Sequence, residues 1–72
     1  VVELDTRGLA CPLPLLKAKQ ALNRLQTGEQ LRVLATDPGS QRDFHVFAEQ
    51  SGHLLLASEA RDDEFIYLLQ KR

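Results

Sequence analysis

With 72 residues, the chain reads as one small domain, residues 1–72, whose core is marginal because short chains bury a smaller share of their surface. A net charge of −1 argues against strong direct nucleic-acid binding, and no apolar run is long enough to form a membrane-spanning helix. The single cysteine excludes an internal disulfide, so the composition fits a cytoplasmic protein held by packing alone; the chain opens on Val1 with no signal-peptide pattern, which fits a trimmed N-terminus.

Val1 to Asp5 alternates apolar and polar residues, with Val2 and Leu4 on one face, and reads as a first strand. Thr6 to Ala10 connects it to a helix over Pro12 to Leu25. Leu15, Ala18, Ala21, Leu22 and Leu25 form one stripe at helical spacing, and Gly28 is the expected stop. Gln30 to Thr36 alternates again and reads as a second strand; strand, helix, strand in this space predicts a parallel pair. Asp37-Pro-Gly-Ser40 is a turn. Ser40 and Asp43 have capping-box spacing ahead of a second helix, Gln41 to Gln50, with Phe44, Phe47 and Ala48 as its buried stripe and Gly52 as its end. Asp37, Arg42 and Asp43 are read as turn and cap residues. His53 to Ser58 and Glu64 to Gln70 read as an antiparallel hairpin turning at Arg61-Asp-Asp63. The last strand is apolar at consecutive positions, which predicts cover on both faces. Lys71 and Arg72 are expected to fray. The whole is an α/β two-layer sandwich of order β-α-β-α-β-β, a mixed four-stranded sheet with two helices on one face.

Cys11 stands where the first strand has ended and the first helix begins. Pro12 suits the first helical position, and Pro14 still lies in the first turn, where N–H groups lack helical partners. Gly8 lets the backbone bend just upstream. A thiolate at a helix N-terminus is stabilised, so the thiol pKa is expected below its free value, and Arg7, Lys17 and Lys19 would add to that field. The alternative reading is that a lone cysteine is a small buried hydrophobe. Leu13 and Leu16 lie off the buried stripe, beside Cys11. They read either as a partner-docking surface or as apolar residues covered by neighbouring loops.

Several chemistries lack their parts. A zinc site needs about four ligands, and Cys11, His45 and His53 are far apart in the chain, so neither metal nor cofactor is expected. A cysteine hydrolase needs an oriented histidine base, whereas His45 and His53 read as surface residues. There is no CxxC pair for thioredoxin-like exchange and no glycine-rich phosphate loop. A single nucleophilic sulfur without an acid–base partner suits accepting a sulfur atom as a persulfide and passing it on.

Cys11-Pro-Leu-Pro14 followed by Lys19 resembles the CPxPxxxxK signature of the TusA-like (SirA-type) sulfur-carrier family. Leu4-Asp-Thr-Arg-Gly-Leu9 is similar to that family's L-D-x-x-G-L opening, Asp37 to Phe44 to its D-P-x-x-x-x-D-[hydrophobic] segment, and Ser51 to Leu55 to the piece that follows. The resemblance implies the same two-layer sandwich, with Cys11 as the persulfide carrier and Pro12, Pro14, Lys19 and Arg7 in support. It implies a relay whose partners are a cysteine desulfurase or other sulfur donor and a downstream sulfur-acceptor protein, and on the carrier reading Leu13, Leu16 and Lys17 are the residues that would meet them. In the family, such relays serve tRNA thiolation, molybdenum-cofactor assembly and other sulfur or selenium pathways. It implies a sulfurtransferase-like relay component more than a stand-alone enzyme. Lys19 and Lys17 would steer an acidic partner or stabilise the sulfur anion; each also reads as a solvated charge. Two departures stand out: His45 follows Phe44 where many relatives have proline soon after the aspartate, and Ala48 stands where several have a second cysteine.

Two competing readings remain. One is an RNA-binding or regulatory module stacking bases on Phe65 and Tyr67 across an open sheet face; the other is an oligomerising module in which Cys11 is buried.

Overall fold

A computed structural model describes residues 1–72. Its elements are β1 (Val2–Thr6), α1 (Leu13–Asn23), β2 (Gln30–Ala35), α2 (Ser40–Ser51), β3 (Leu54–Arg61) and β4 (Glu64–Gln70). The strands form one sheet in the order β1-β2-β4-β3. β1 and β2 are parallel, and β4 runs antiparallel to both its neighbours. The parallel pair and the hairpin therefore form as the spacing requires.

Alternation along the central strands creates the core. Leu31, Val33 and Ala35 of β2 and Tyr67 and Leu69 of β4 are fully buried on one face, with Ala18 and Leu22 of α1 and Phe44 of α2 packed onto them. Each large apolar side chain so buried contributes about 1.5–3 kcal/mol. Leu15, Ala21 and Leu25 complete the α1 stripe as partly buried members. Both helices thus cover the same side of the sheet. Phe44 stacks on Tyr67 with ring centroids 4.5 Å apart and planes 16° from parallel. Thr6, buried at the end of β1, donates from Oγ1 to the Leu34 carbonyl at 2.6 Å.

The other face of the sheet carries no helix. Arg32, Ala57, Glu59, Ile66 and Leu68, with Val1, line a shallow depression there of about 310 Å³. The expectation that β4 is covered on both faces is therefore corrected: Ile66 and Leu68 are only half-buried, and cross-strand neighbours supply their cover. Placing Phe65 and Tyr67 on an open face is corrected too. Both point to the helix side, Tyr67 wholly buried and Phe65 packed against the core, so no aromatic platform for RNA bases exists.

Four local expectations also change. α1 ends at Asn23, and its last turn tightens, Leu25 N–H reaching the Leu22 carbonyl at 3.0 Å. Gly28 belongs to the following turn, where its N–H donates to the Lys71 carbonyl at 2.9 Å. β3 runs on to Arg61, paired with Glu64, because the chain turns within Asp62-Asp63 alone. Lys71 and Arg72 are held: Lys71 Nζ donates to the Leu22 carbonyl at 2.8 Å and Arg72 Nη1 to the Ser51 carbonyl at 2.9 Å. The Arg72 N–H also donates to His53 Nδ1 at 3.0 Å. Burial, then the Lys71 and Arg72 charges, hold the His53 pKa below its ordinary value.

The capping box does not form. Gly39 is the N-cap of α2, and no side chain caps it. Ser40 is instead buried, its Oγ 2.7 Å from the Tyr67 hydroxyl. A long-range partner in the core outcompetes the local cap. Tyr67→Phe leaves the Ser40 hydroxyl buried without a partner, at a cost of about 1–3 kcal/mol. Urea unfolding of Tyr67→Phe, Ser40→Ala and the double variant will show the double less destabilised than the sum of the singles, because the two side chains share one bond.

Candidate functional site

The site lies at the start of α1, where the loop from β1 delivers Cys11. Pro12 is the N-cap, Pro14 is buried in the first turn, and the Cys11–Pro12 peptide bond is cis. Gly8 takes a φ of +83°, the left-handed region that glycine enters without steric cost, and its N–H donates to Thr36 Oγ1 at 2.9 Å. These contacts tie the loop to the end of β2. Cys11 is exposed and free, which removes the reading of a buried hydrophobe and with it the oligomerising module that needed one. Leu13 and Leu16 are 45% and 46% exposed; no loop covers them.

The electrostatics run opposite to the sequence-based expectation. The Cys11 thiol donates a hydrogen bond to Asp43 Oδ2, across 32 residues of chain. That bond raises the thiol pKa above its ordinary value, with desolvation and the negative charges of Asp43 and Asp37 adding to it. The prolines weaken the opposing pull of the helix start. Pro12 and Pro14 have no N–H to offer a thiolate, and the Leu13 N–H is committed to the Ala10 carbonyl at 2.9 Å. The helix start therefore offers the sulfur fewer donors than an ordinary first turn.

The three cations expected to assist are placed elsewhere. Arg7 is held by Asp5, with Nε to Oδ1 at 3.0 Å and Nη2 to Oδ2 at 2.9 Å, and reaches Glu64 at 3.3 Å. These bonds lower the Asp5 pKa to about 2. Lys19 Nζ sits 5.5 Å from the centre of the Phe47 ring, a cation–π contact between α1 and α2. Lys17 is exposed. The charged groups that act on the sulfur are the two carboxylates.

Asp43, read from the sequence as a cap, is the site residue that reading missed, and Asp37 accompanies it. Asp37 Oδ2 is buried with no hydrogen-bond partner. Gly39 makes room for this arrangement: a methyl group there would stand 3.0 Å from Asp37 Oδ2 and 3.9 Å from Cys11 Sγ. The D-P-x-x-x-x-D match was the signal that could have found Asp37 and Asp43. Next to them, Leu15, Lys19, Arg42, Val46 and Phe47 join Asp43 and Gln50 around a groove of about 350 Å³ between the helices. His45 is exposed, and neither it nor His53 joins Cys11 in a cluster able to hold a metal.

Residues 2–71 match the family described as Sulfurtransferase TusA. The chain is 49% identical over 69 residues to a protein named sulfur carrier protein TusA from Allochromatium vinosum, covering 96% of this chain and 91% of that one. It is 48% identical to a putative sulfur carrier protein of Neisseria meningitidis serogroup A, covering 96% and 93% of the two chains. A crystal structure of a SirA-like protein from Desulfitobacterium hafniense superposes with a TM-score of 0.86 at 25% identity, covering 97% of this chain and 96% of that one.

A raised thiol pKa predicts slow alkylation at neutral pH. The rate of iodoacetamide reaction against pH should have its midpoint above that of an unstructured cysteine, which is about 8.5, and urea should return it to that value. The sign follows from linkage: with the folded value above the unfolded one, the contact favours folding fully below the unfolded pKa and is lost as pH rises through the folded one. A folded-state midpoint at or below the urea value would contradict the geometry.

Proposed function

This chain belongs to the sulfurtransferase TusA family, and on that premise we propose that it is a sulfur carrier whose Cys11 accepts sulfane sulfur as a persulfide and hands it to an acceptor. The observation that carries this reading is the exposed, unpaired Cys11 at the head of α1. Its neighbour in contact is a carboxylate, not a histidine base, so it lacks the oriented imidazole of a cysteine hydrolase. A thiol that is loaded, travels and is unloaded needs access above all, because the donor and acceptor proteins bring chemistry of their own.

The relay partners are a sulfur donor, a cysteine desulfurase or another persulfide-forming protein, and a downstream sulfur-acceptor protein. The outlets are tRNA 2-thiouridine synthesis, molybdenum-cofactor assembly or other sulfur metabolism in the cytoplasm. Exposed Leu13 and Leu16 flank the sulfur, and together with Lys17 they form the docking face. Pro12 and Pro14 stiffen the turn that presents Cys11. Lys19 acts through α2, where its stack on Phe47 holds the groove wall. Arg7 fixes the β1–α1 loop by its bonds to Asp5 and Glu64. The chain is consumed and reloaded in each cycle, as a relay component. No helix is long and apolar enough to cross a membrane.

Intact-protein mass spectrometry after incubation with a cysteine desulfurase and cysteine tests the assignment. The wild type should gain one sulfur, and Cys11→Ser should gain none while keeping its circular dichroism spectrum. A wild type that stays unmodified, or a variant that still gains sulfur, would overturn it. Leu16→Asn should slow loading by the desulfurase while leaving iodoacetamide alkylation of Cys11 unchanged, because it alters the docking face without adding a charge beside the thiol.

A further inference from the structure

We propose that Asp43 is a catalytic residue of the sulfur-transfer step: its carboxylate takes the Cys11 proton as the sulfur attacks and returns it to the departing thiolate. This deepens the carrier reading and rests on it. The geometry is the hydrogen bond itself. Cys11 Sγ lies within hydrogen-bond reach of Asp43 Oδ2, and a general base must stand within hydrogen-bond reach of the proton it removes. No other acceptor takes that proton. Asp43 lies in the first turn of α2, where the helix dipole favours a charged carboxylate.

The same contact creates the need for such a base. A thiol kept protonated at neutral pH is a poor nucleophile, since the thiolate is the reactive form. Two carboxylates hold Cys11 in that state, yet they are not equivalent. Asp37 acts across space only, its Oδ2 buried without a hydrogen bond. Asp43 both raises the pKa and accepts the proton. Lys19 from α1 and Arg42 from α2 line the same groove as Asp43.

The step balances without an added oxidant or reductant. The Cys11 sulfur attacks the outer sulfur of a donor persulfide, R–S–SH, as its proton passes to Asp43 Oδ2. A bond forms between the Cys11 sulfur and the outer sulfur, which keeps its hydrogen. The donor's S–S bond breaks and R–S⁻ leaves with the electron pair. The proton on Asp43 then moves to R–S⁻, giving R–SH. One sulfane sulfur changes owner, and net oxidation states are unchanged. Between cycles, the unloaded thiol stays protonated and slow toward stray electrophiles.

The experiment compares Asp43→Asn with Asp37→Asn, each read by two assays. Iodoacetamide alkylation at pH 7 reports thiolate content, and sulfur uptake from glutathione persulfide, followed by mass spectrometry, reports transfer. The small donor removes any docking face from the comparison. Both variants lose a negative charge beside Cys11, so both should alkylate faster, with pH midpoints below that of the wild type. Only Asp43→Asn should load more slowly, by about 100-fold, the lower end of what a general base contributes; Asp37→Asn should load at least as fast as the wild type. Asp43→Ala removes the carboxylate by another route, and added formate should restore part of its loading. A role confined to structure or to electrostatics would make the two aspartates behave alike and would give no formate rescue. Asp43 variants that load as fast as the wild type would overturn the proposal while leaving the carrier reading intact. A wild type that takes up no sulfur would overturn both.

Discussion

Tyr67 is the residue through which the sheet holds the second helix. It sits in β4 with no exposed surface, stacks on Phe44 and bonds through its hydroxyl to Ser40. Phe44 and Ser40 both belong to the first turns of α2. The stack fixes how close that turn stands to the sheet, and the hydrogen bond fixes its rotation. Asp43 lies between these two anchors in sequence, so its direction follows from theirs. The Cys11 contact thus depends on a side chain far from the sulfur in sequence. Burial also raises the Tyr67 pKa, against the effect of Ser40 and together with the Asp37 and Asp43 charges; the phenol stays neutral and able to donate.

The prolines around Cys11 have two consequences that oppose one another. They define where α1 starts and stiffen the turn that presents the sulfur. They also remove two N–H groups from the helix terminus, where donors favour an anion. With a hydrogen bond to Asp43 and a second carboxylate, Asp37, close by, the resting state is a neutral thiol. For a carrier, this has a physical use. A thiolate reacts with many electrophiles, whereas a protonated thiol is a poorer nucleophile.

The two faces of the molecule differ in kind. The helix side contains the core, the groove and the sulfur. Lys19 bridges the helices there by lying over Phe47, which keeps a cation near Asp43 without placing it on Cys11. On the bare sheet face, charged residues, Arg32 and Glu59 among them, alternate with the half-buried Ile66 and Leu68. Arg32 pairs loosely with Glu3 at 3.9 Å, and exposed pairs of this kind contribute little. Cross-strand packing, not ion pairing, gives that face its apolar cover.

Short-range pattern was enough for much of this. The strand alternation of Leu31, Val33 and Ala35, the α1 stripe and the hairpin all follow from periodicity and turn chemistry, and the structure places them as expected; the helix starts one residue later than expected, at Leu13, with Pro12 as its N-cap. Cys11 was legible at the helix start because proline spacing is a local signal, whereas helical spacing left Leu13 and Leu16 either exposed or covered and the fold decided for exposure. The misreadings share one cause. Ser40 and Asp43 look like a cap when only their three-residue spacing is visible, but partners far along the chain, Tyr67 and Cys11, claim their side chains. Period-2 alternation says that Phe65 and Tyr67 share a face, not which face the helices cover. The pKa of Cys11 was misjudged because its sign depends on Asp37 and Asp43, brought in by the fold, and on donors the prolines had removed. The sequence by itself determined the elements and the place of a lone sulfur at a helix start, since both rest on interactions within a few residues. Tertiary structure alone decided the charge around that atom, because electrostatic neighbours are set by distance in space.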